Sequence, residues 1–220
     1  AVAVHPTDPS IIYIGAASGG IWKTTNGGDT WLDIGSSENK MLTFGAIVID
    51  PNNHNVIYAG TGELDFIFTF HYGKGLFKST DGGLSWFEPT DTFGTITSFG
   101  DLVVSPYNSN IVYAAIGSSY LFLNQNQPNE GIWKSTDGGS SWIRTLDVQD
   151  ANDIVVHPTD PNIVYAATGG KFTTSGFYKS TDAVVTWSQK NNGLQQPTTI
   201  GRMQIDIAKS YPDILYAVIW

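Results

Sequence analysis

Apolar residues along this chain fall into short runs rich in Ile, Val, Tyr and Ala, broken by clusters of Pro, Asn, Asp and Gly that return at regular intervals. Val2-Ala3-Val4 meets His5-Pro6-Thr7-Asp8-Pro9-Ser10 and then Ile11-Ile12-Tyr13. The same unit returns as Ile49-Asp50-Pro51 through Tyr58, Val104-Ser105-Pro106 through Tyr113, and Val156-His157-Pro158 through Tyr165, and opens again as Ile207-Ala208-Lys209 through Tyr216. Each reads as strand, turn, strand. A third strand, Gly-Ile-Trp-Lys or a variant, follows at Gly20 to Lys23, Gly75 to Lys78, Gly131 to Lys134 and Gly176 to Lys179. It leads into an acidic turn whose closing Trp begins a fourth strand, as in Trp142-Ile143-Arg144-Thr145. Each repeat thus predicts four antiparallel strands.

The acidic turns run from Thr24 to Trp31, Ser79 to Trp86, Ser135 to Trp142 and Ser180 to Trp187, which places their tryptophans 55, 56 and 45 residues apart. That period is longer than a helical repeat and matches a blade of a β-propeller. The turns explain themselves without a ligand. Gly82 and Gly83 permit a positive φ, Ser79 and Asp81 accept hydrogen bonds from the turn's own amides, and Trp86 buries a large ring beside them. The structural residues of the four turns are then Asn26, Gly28 and Trp31; Asp81, Gly83 and Trp86; Asp137, Gly139 and Trp142; Asp182 and Trp187. The fourth carries Val184 where the others have Gly, which puts its geometry in question.

The pattern Ser/Thr-x-Asp-x-Gly-x-Ser/Thr-Trp resembles the Asp-box, or BNR repeat, of sialidases, sortilin-like receptors, xyloglucanase-type glycoside hydrolases and many secreted bacterial propellers. Three turns fit it well, with Asn26 replacing Asp in the first. The segments Tyr13 to Lys23 and Gly60-Thr61-Gly62-Glu63 are likewise similar to large bacterial extracellular proteins of sortilin-like or glycosyl-hydrolase-like type. The resemblance implies a secreted or cell-surface, bacterial protein. It does not fix an activity, because one fold serves many. Sialidase activity is disfavoured, since those enzymes clamp a carboxylate with three arginines and this chain has only Arg144 and Arg202.

Composition narrows the classes further. Among 220 residues there are 24 Gly, 10 Pro, 7 Trp, 10 Tyr and 11 Phe with 14% charged side chains, a profile of all-β material. The absence of cysteine excludes disulfides and thiolate metal sites. A net charge of −9 opposes nucleic-acid partners, and no apolar run is long enough for membrane insertion by a helix. The four histidines are scattered, with His5 and His157 at equivalent turns of different repeats, so no metal site is expected; calcium, through turn carboxylates such as Asp8, Asp160 and Asp213, is the one cofactor with ligands of the right kind.

The expected architecture is an all-β propeller of four-stranded antiparallel blades. It is one segment, residues 1–220, with repeats at about 1–40, 41–95, 96–147, 148–197 and a partial 198–220, about four and a half blades. Closure requires more, so the segment is expected to belong to a larger propeller or to self-associate through open blade edges. In register, Ala46, Asp101, Asp153 and Arg202 approach the central channel, which makes Asp101 and Asp153 the candidate catalytic acids; a shared repeat position alone also produces such a pair. The connections Gly62 to Lys74 and Gly117 to Glu130 hold the candidate binding residues Glu63, Asp65, Phe68, His71, Tyr72, Tyr120, Phe122 and Asn124, aromatics beside acids and amides that suit a glycan or a protein, or that pack on a neighbouring blade. The expected function is a non-catalytic binding or scaffold module. The alternatives are a polysaccharide-degrading glycosidase of xyloglucanase type and a subunit of an extracellular filament or surface assembly.

Overall fold

The computed structural model describes residues 1–17, 19–35, 43–62, 73–87, 93, 98–117, 129–170 and 174–219. The first blade is β1 (Val2–Val4), β2 (Ile12–Gly15), β3 (Ile21–Thr24) and β4 (Leu32–Asp33). The second is β5 (Phe44–Ile49), β6 (Ile57–Thr61) and β7 (Leu76–Ser79), to which Phe87 adds by a bridge to Lys78. The third is β8 (Ser98–Val104), β9 (Val112–Gly117), β10 (Gly131–Ser135) and β11 (Ile143–Leu146). The fourth is β12 (Ala151–Val156), β13 (Val164–Thr168), β14 (Gly176–Ser180) and β15 (Ser188–Gln189); a 3-10 turn at Pro197–Thr199 precedes the fifth, β16 (Met203–Ile207) with β17 (Leu215–Ile219). All pairings are antiparallel between consecutive strands. The molecule is a partial propeller.

Blade stacking explains why the apolar runs are continuous rather than alternating. Every residue of β6, β9 and β13 is buried, because each middle strand is covered on both faces by neighbouring blades. The first strands β1, β5, β8, β12 and β16 follow one another as inner strands. Four apolar clusters fill the four blade interfaces, in order Tyr13 to Phe77, Ala46 to Trp142, Tyr113 to Val184 and Tyr165 to Ile207. Volume is matched across them. A Cβ on Gly15 would lie 2.6 Å from Cβ of Phe44, and one on Gly60 would lie 2.6 Å from Cβ of Phe99. At the next interface both partners are small, Ala115 and Ala151.

The acidic turns fold as their residues require. Asp81 Oδ1 accepts from the Ser85 amide (2.9 Å) and Oδ2 from the Ser85 hydroxyl (2.6 Å), while Ser79 Oγ accepts from the Gly83 amide at 2.8 Å. Asp137 with Ser141 and Asp182 with Thr186 repeat the arrangement. Asn26 does so by reversing one bond: its Oδ1 accepts from the Thr30 amide, and its Nδ2 donates to the Thr30 hydroxyl at 2.8 Å. The tryptophans are less uniform than expected. Trp142 is buried and donates to the Gly139 carbonyl at 3.0 Å, Trp86 donates to Ile34 of the preceding blade, and Trp31 is 37% exposed.

The second, third and fourth turns are also gripped from the preceding blade. The Gly82 carbonyl accepts from the Tyr13 hydroxyl (3.1 Å) and Lys23 Nζ (3.0 Å); the Gly138 carbonyl accepts from the Tyr58 hydroxyl (3.0 Å) and Lys78 Nζ (2.7 Å). Lys134 Nζ makes the corresponding bond to the Ala183 carbonyl at 2.9 Å. In each case the lysine lies over the ring of its cross-strand tyrosine, at 5.1, 5.1 and 5.9 Å from the centroid.

The fourth turn keeps this geometry without its glycines. Ala183 and Val184 sit at φ of 57° and 68°, where Gly82 and Gly83 sit at 72° and 90°. Val184 is buried between the third and fourth blades, so its side chain offsets the backbone cost. Ala183 has no such gain. Ala183→Gly is expected to stabilise the protein by up to about 1 kcal/mol, a rise in melting temperature of about 2–4 °C, whereas Val184→Gly changes it little. Tyr58→Phe, read by the same melting experiment, is expected to cost about 1 kcal/mol through the lost bond to Gly138.

Candidate functional site

Connectivity sorts the two ends of the blades. The hairpin turns between first and second strands and the acidic turns share one end, tied by bonds such as Gly82 amide to Asn55 carbonyl and Gly138 amide to Asn110 carbonyl, both 2.9 Å. The connections from second to third strand, and from each blade to the next, therefore gather at the other end. The candidate binding residues Glu63, Asp65, Phe68, His71, Tyr72, Tyr120, Phe122 and Asn124 belong to these connections and lie outside the described residues.

Asp101 and Asp153 do come together. They lie inside β8 and β12, each just after a β-bulge that shifts the register, and their side chains are hydrogen-bonded to one another. The bulge at Phe44/Ala46 places Ala46 equivalently in β5. In the fifth blade the equivalent residue is Gln204, paired with Val218 as Asp153 is with Ala167, so Arg202 does not hold the register position expected of it. Gln204 stands three residues before the strand end at Ile207, as Asp153 stands before Val156, whereas Arg202 precedes β16 altogether.

The two aspartates have a defined structural task. Asp153 accepts from the Ile154 amide at 2.8 Å and from the Ile205 amide of the next inner strand at 2.8 Å, and Asp101 accepts from the Ile154 amide at 3.4 Å. They satisfy inner-edge amides that no strand pairs. Burial raises both carboxyls, Asp101 well above the usual range, and the charge of Asp153 raises Asp101 further. The hydrogen bond between them raises Asp101 and lowers Asp153, opposing the effect of burial on Asp153. Carboxyls in direct contact leave no space for the water of an inverting glycosidase, whose acids stand about 6.5–9.5 Å apart, nor do they reach the about 5–5.5 Å of a retaining one.

A second acidic pair, not singled out by the repeat pattern, sits at the loop end. Glu130, Asp150 and Asn152 are each about 95% buried, at 5%, 4% and 5% exposure. Glu130 Oε2 accepts from the Asp150 amide at 2.9 Å, and the Asp150 carbonyl accepts from Gly169 at 2.9 Å. Asp150 takes a φ of 50°, a conformation Asp tolerates better than most residues. Burial, with the Glu130 charge, pushes the Asp150 carboxyl up to about 7; Arg202 and Asn152 act in the opposite sense. Asn152 Oδ1 caps the Met203 amide at 3.2 Å. The signal available in the sequence was departure from the repeat: Glu130 stands where the other repeats have Gly19, Lys74 and Ser175.

Elsewhere, His5 and His54 pack edge to face at 4.3 Å on adjacent turns. No group of three or more His, Asp or Glu side chains suited to a metal ion is present among the described residues. A cleft of about 400 Å³ opens beside the fourth turn, between Arg144 and Ile143 of β11 and Val185, at the end away from the loops. Arg144 is engaged there, with its guanidinium 3.1 Å from Asp147 and 3.2 Å from the Glu130 carbonyl.

Comparison with known proteins gives one consistent direction. No protein-family model matches the chain. A xyloglucanase of Acetivibrio thermocellus is 26% identical over 174 residues, 64% of this chain and 19% of that protein. A xyloglucanase of Hypocrea jecorina is 26% identical over 172 residues, 73% of this chain and 19% of that protein. Among solved structures, an ancestral GH74 enzyme superposes with a TM-score of 0.68 at 24% identity, covering 94% of this chain and 27% of the other. The GH74 enzyme of Niastella koreensis gives 0.69 at 22%, covering 98% and 33%. These superpositions establish the propeller fold. The chain spans about a fifth of the length of the curated relatives it matches.

The acid pairs carry a prediction about pH. Asp150 has its carboxyl at about 7 when folded against an ordinary 3.8, so the folded state holds a proton the unfolded chain has lost. Its contribution is fully present below 3.8 and is lost as pH rises to about 7. Asp101 and Asp153 act in the same direction. Thermal melts are expected to show stability declining from about pH 4 to pH 8. Asp150→Asn, which imitates the protonated acid between Glu130 and Arg202, is expected to flatten that decline and to melt above the parent at pH 8; an unchanged slope would assign the decline elsewhere.

Proposed function

We propose that this propeller segment belongs to a secreted or cell-surface bacterial protein that acts on a β-linked polysaccharide, as a glycoside hydrolase of xyloglucanase type. The observation that carries this reading is the similarity to xyloglucanases over 172 to 174 residues, extending across several repeats rather than one turn. The acidic turns are read as Asp-boxes that build the blades and stay off the ligand. The loop end supplies the binding face, with Phe68, His71, Tyr72, Tyr120 and Phe122 offering rings to sugar faces and Glu63, Asp65 and Asn124 offering hydrogen bonds to hydroxyls. Asp101 and Asp153, hydrogen-bonded to one another, do not stand apart as the acids of a glycosidase do, so the hydrolytic carboxylates are assigned outside this pair.

That same spacing favours one second reading, a polysaccharide-binding module without hydrolysis. The two are separated by incubating the whole protein that carries this chain with xyloglucan and with an unbranched β-glucan, measuring new reducing ends and, in parallel, retention on the insoluble polysaccharide. Release of reducing ends from xyloglucan is expected, with Tyr120→Ala and Phe122→Ala each lowering kcat/KM about tenfold, an aromatic contact of roughly 1–1.5 kcal/mol. Retention without release supports the binding module. Neither retention nor release overturns both.

A further inference from the structure

Two Asn-Gly steps lie on exposed turns of this chain, Asn26-Gly27 in the first acidic turn and Asn192-Gly193 in the connection from β15 to β16. Such a step is chemically labile, because glycine without a Cβ lets its amide nitrogen approach the side-chain carbonyl of the residue before it. Exposure does not separate the two; hydrogen bonding does. In the first turn the Asn26 side chain is held at both ends: Oδ1 accepts from the Thr24 hydroxyl (2.8 Å) and the Thr30 amide (3.0 Å), and Nδ2 donates to the Thr30 hydroxyl (2.8 Å). The Gly27 amide, which would be the nucleophile, donates to the Ser10 carbonyl at 2.9 Å. The Asp-Gly steps of the second and third turns are locked in the same way, Gly82 onto the Asn55 carbonyl and Gly138 onto the Asn110 carbonyl.

The step at Asn192 has none of these restraints. The Leu194 amide donates to the Asn191 carbonyl at 2.9 Å and closes a turn with Asn192 and Gly193 at its centre, Gly193 at a φ of 87°. Asn191 is committed, its Oδ1 accepting from the Phe177 amide (2.9 Å) and its Nδ2 donating to the Ser175 carbonyl (3.1 Å). Among the described residues neither the Asn192 side chain nor the Gly193 amide makes a hydrogen bond, and a Cβ on Gly193 would meet nothing within 4 Å. We propose that Asn192 is a site of spontaneous deamidation and that Asn26, the same dipeptide, is protected by its turn. The Gly193 nitrogen gives its proton to solvent base and bonds to Asn192 Cγ; the Cγ–Nδ2 bond breaks and ammonia leaves. Water then opens the succinimide at either carbonyl, to aspartate or to isoaspartate. One water enters, one ammonia departs, and nothing is oxidised or reduced. The product places a new carboxylate at the loop end of the propeller. Isoaspartate also adds a methylene to the main chain inside the turn, which breaks the Leu194 bond to Asn191, and Leu194 packs against the cluster between the fourth and fifth blades. The modification therefore reaches that seam, and it stands apart from the polysaccharide reading.

Incubation of the whole protein that carries this chain at mildly alkaline pH, with peptide mapping by mass spectrometry over time, tests the proposal. In the folded protein Asn192 is expected to deamidate at least about tenfold faster than Asn26, whose hydrogen bonds must break before the reacting atoms can meet. In denaturant the two rates are expected to converge, because the dipeptides are identical. Equal rates at the two sites in the folded protein, or the same tenfold difference in denaturant, overturn the proposal. A second arm reads the seam. Asn192→Asp carries the new charge without the extra methylene, and the isoaspartyl fraction is expected to melt below it; equal melting overturns the coupling through Leu194.

Discussion

A backbone carbonyl left over by a tight turn organises this molecule. In each acidic turn the amides are consumed locally, by the Ser or Thr hydroxyl, by the Asp or Asn side chain and by the hairpin turn of the same blade, as when the Gly82 amide reaches Asn55. The carbonyl of that same glycine then points away from its blade with no partner of its own. Stacked against a neighbour it would be a buried acceptor, which costs roughly 1–3 kcal/mol unless satisfied. The preceding blade satisfies it with a lysine held over a tyrosine ring. Burial lowers the Lys78 and Lys134 amines and lifts the Tyr58 and Tyr113 hydroxyls to about 12, the expected cost of placing donors inside an interface. Because the two residues are cross-strand neighbours, blade register and blade spacing are set by one contact.

This explains why the fourth turn survives without glycine. The motif reading takes Gly as the defining residue and therefore questions the turn at Val184. What the fold conserves physically is the carbonyl in the Lys134 grip and the Asp182 bonds to Thr186, and both are present. A left-handed Ala and Val cost backbone energy, yet Val184 returns most of its share by filling the space between the third and fourth blades. Lys134 sits further from its tyrosine than its counterparts, 5.9 Å against 5.1 Å, consistent with a turn that carries extra side-chain volume.

Strand order, the turns and the buried middle strands are legible in the sequence because each is written by a local rule and repeated: β-branched runs, Pro/Asn/Asp punctuation, glycine at positive φ. The channel position of Asp101 and Asp153 is legible for the same reason. Features made by departures from the repeat are not. The bulges just before Asp101 and Asp153 have no signature in the repeat, and Gln204 rather than Arg202 holds the equivalent position in the fifth blade. Phe93, fully buried among Phe99, Trp133 and Trp142 with ring centroids 5.2 to 5.5 Å apart, lies outside any strand or motif. Glu130 with Asp150 requires knowing that a connection after the second strand and one after the fourth meet at the same end.

The acids divide along the same axis as the loops. Those of the gripped turns, Asp81, Asp137 and Asp182, are held down at about 2 by hydroxyl and amide donors and stay charged across ordinary pH. Those at the inner edge and the loop end, Asp101, Asp153 and Asp150, are pushed up by burial, Asp150 to about 7. One end of the propeller is thus a fixed anionic rim committed to holding blades together. The axis and the other end carry carboxyls that exchange protons, sit among backbone amides rather than lysines, and lie beside the connections that vary from blade to blade. The end away from the acidic turns is thus also the end whose acid, Asp150, is least committed to charge.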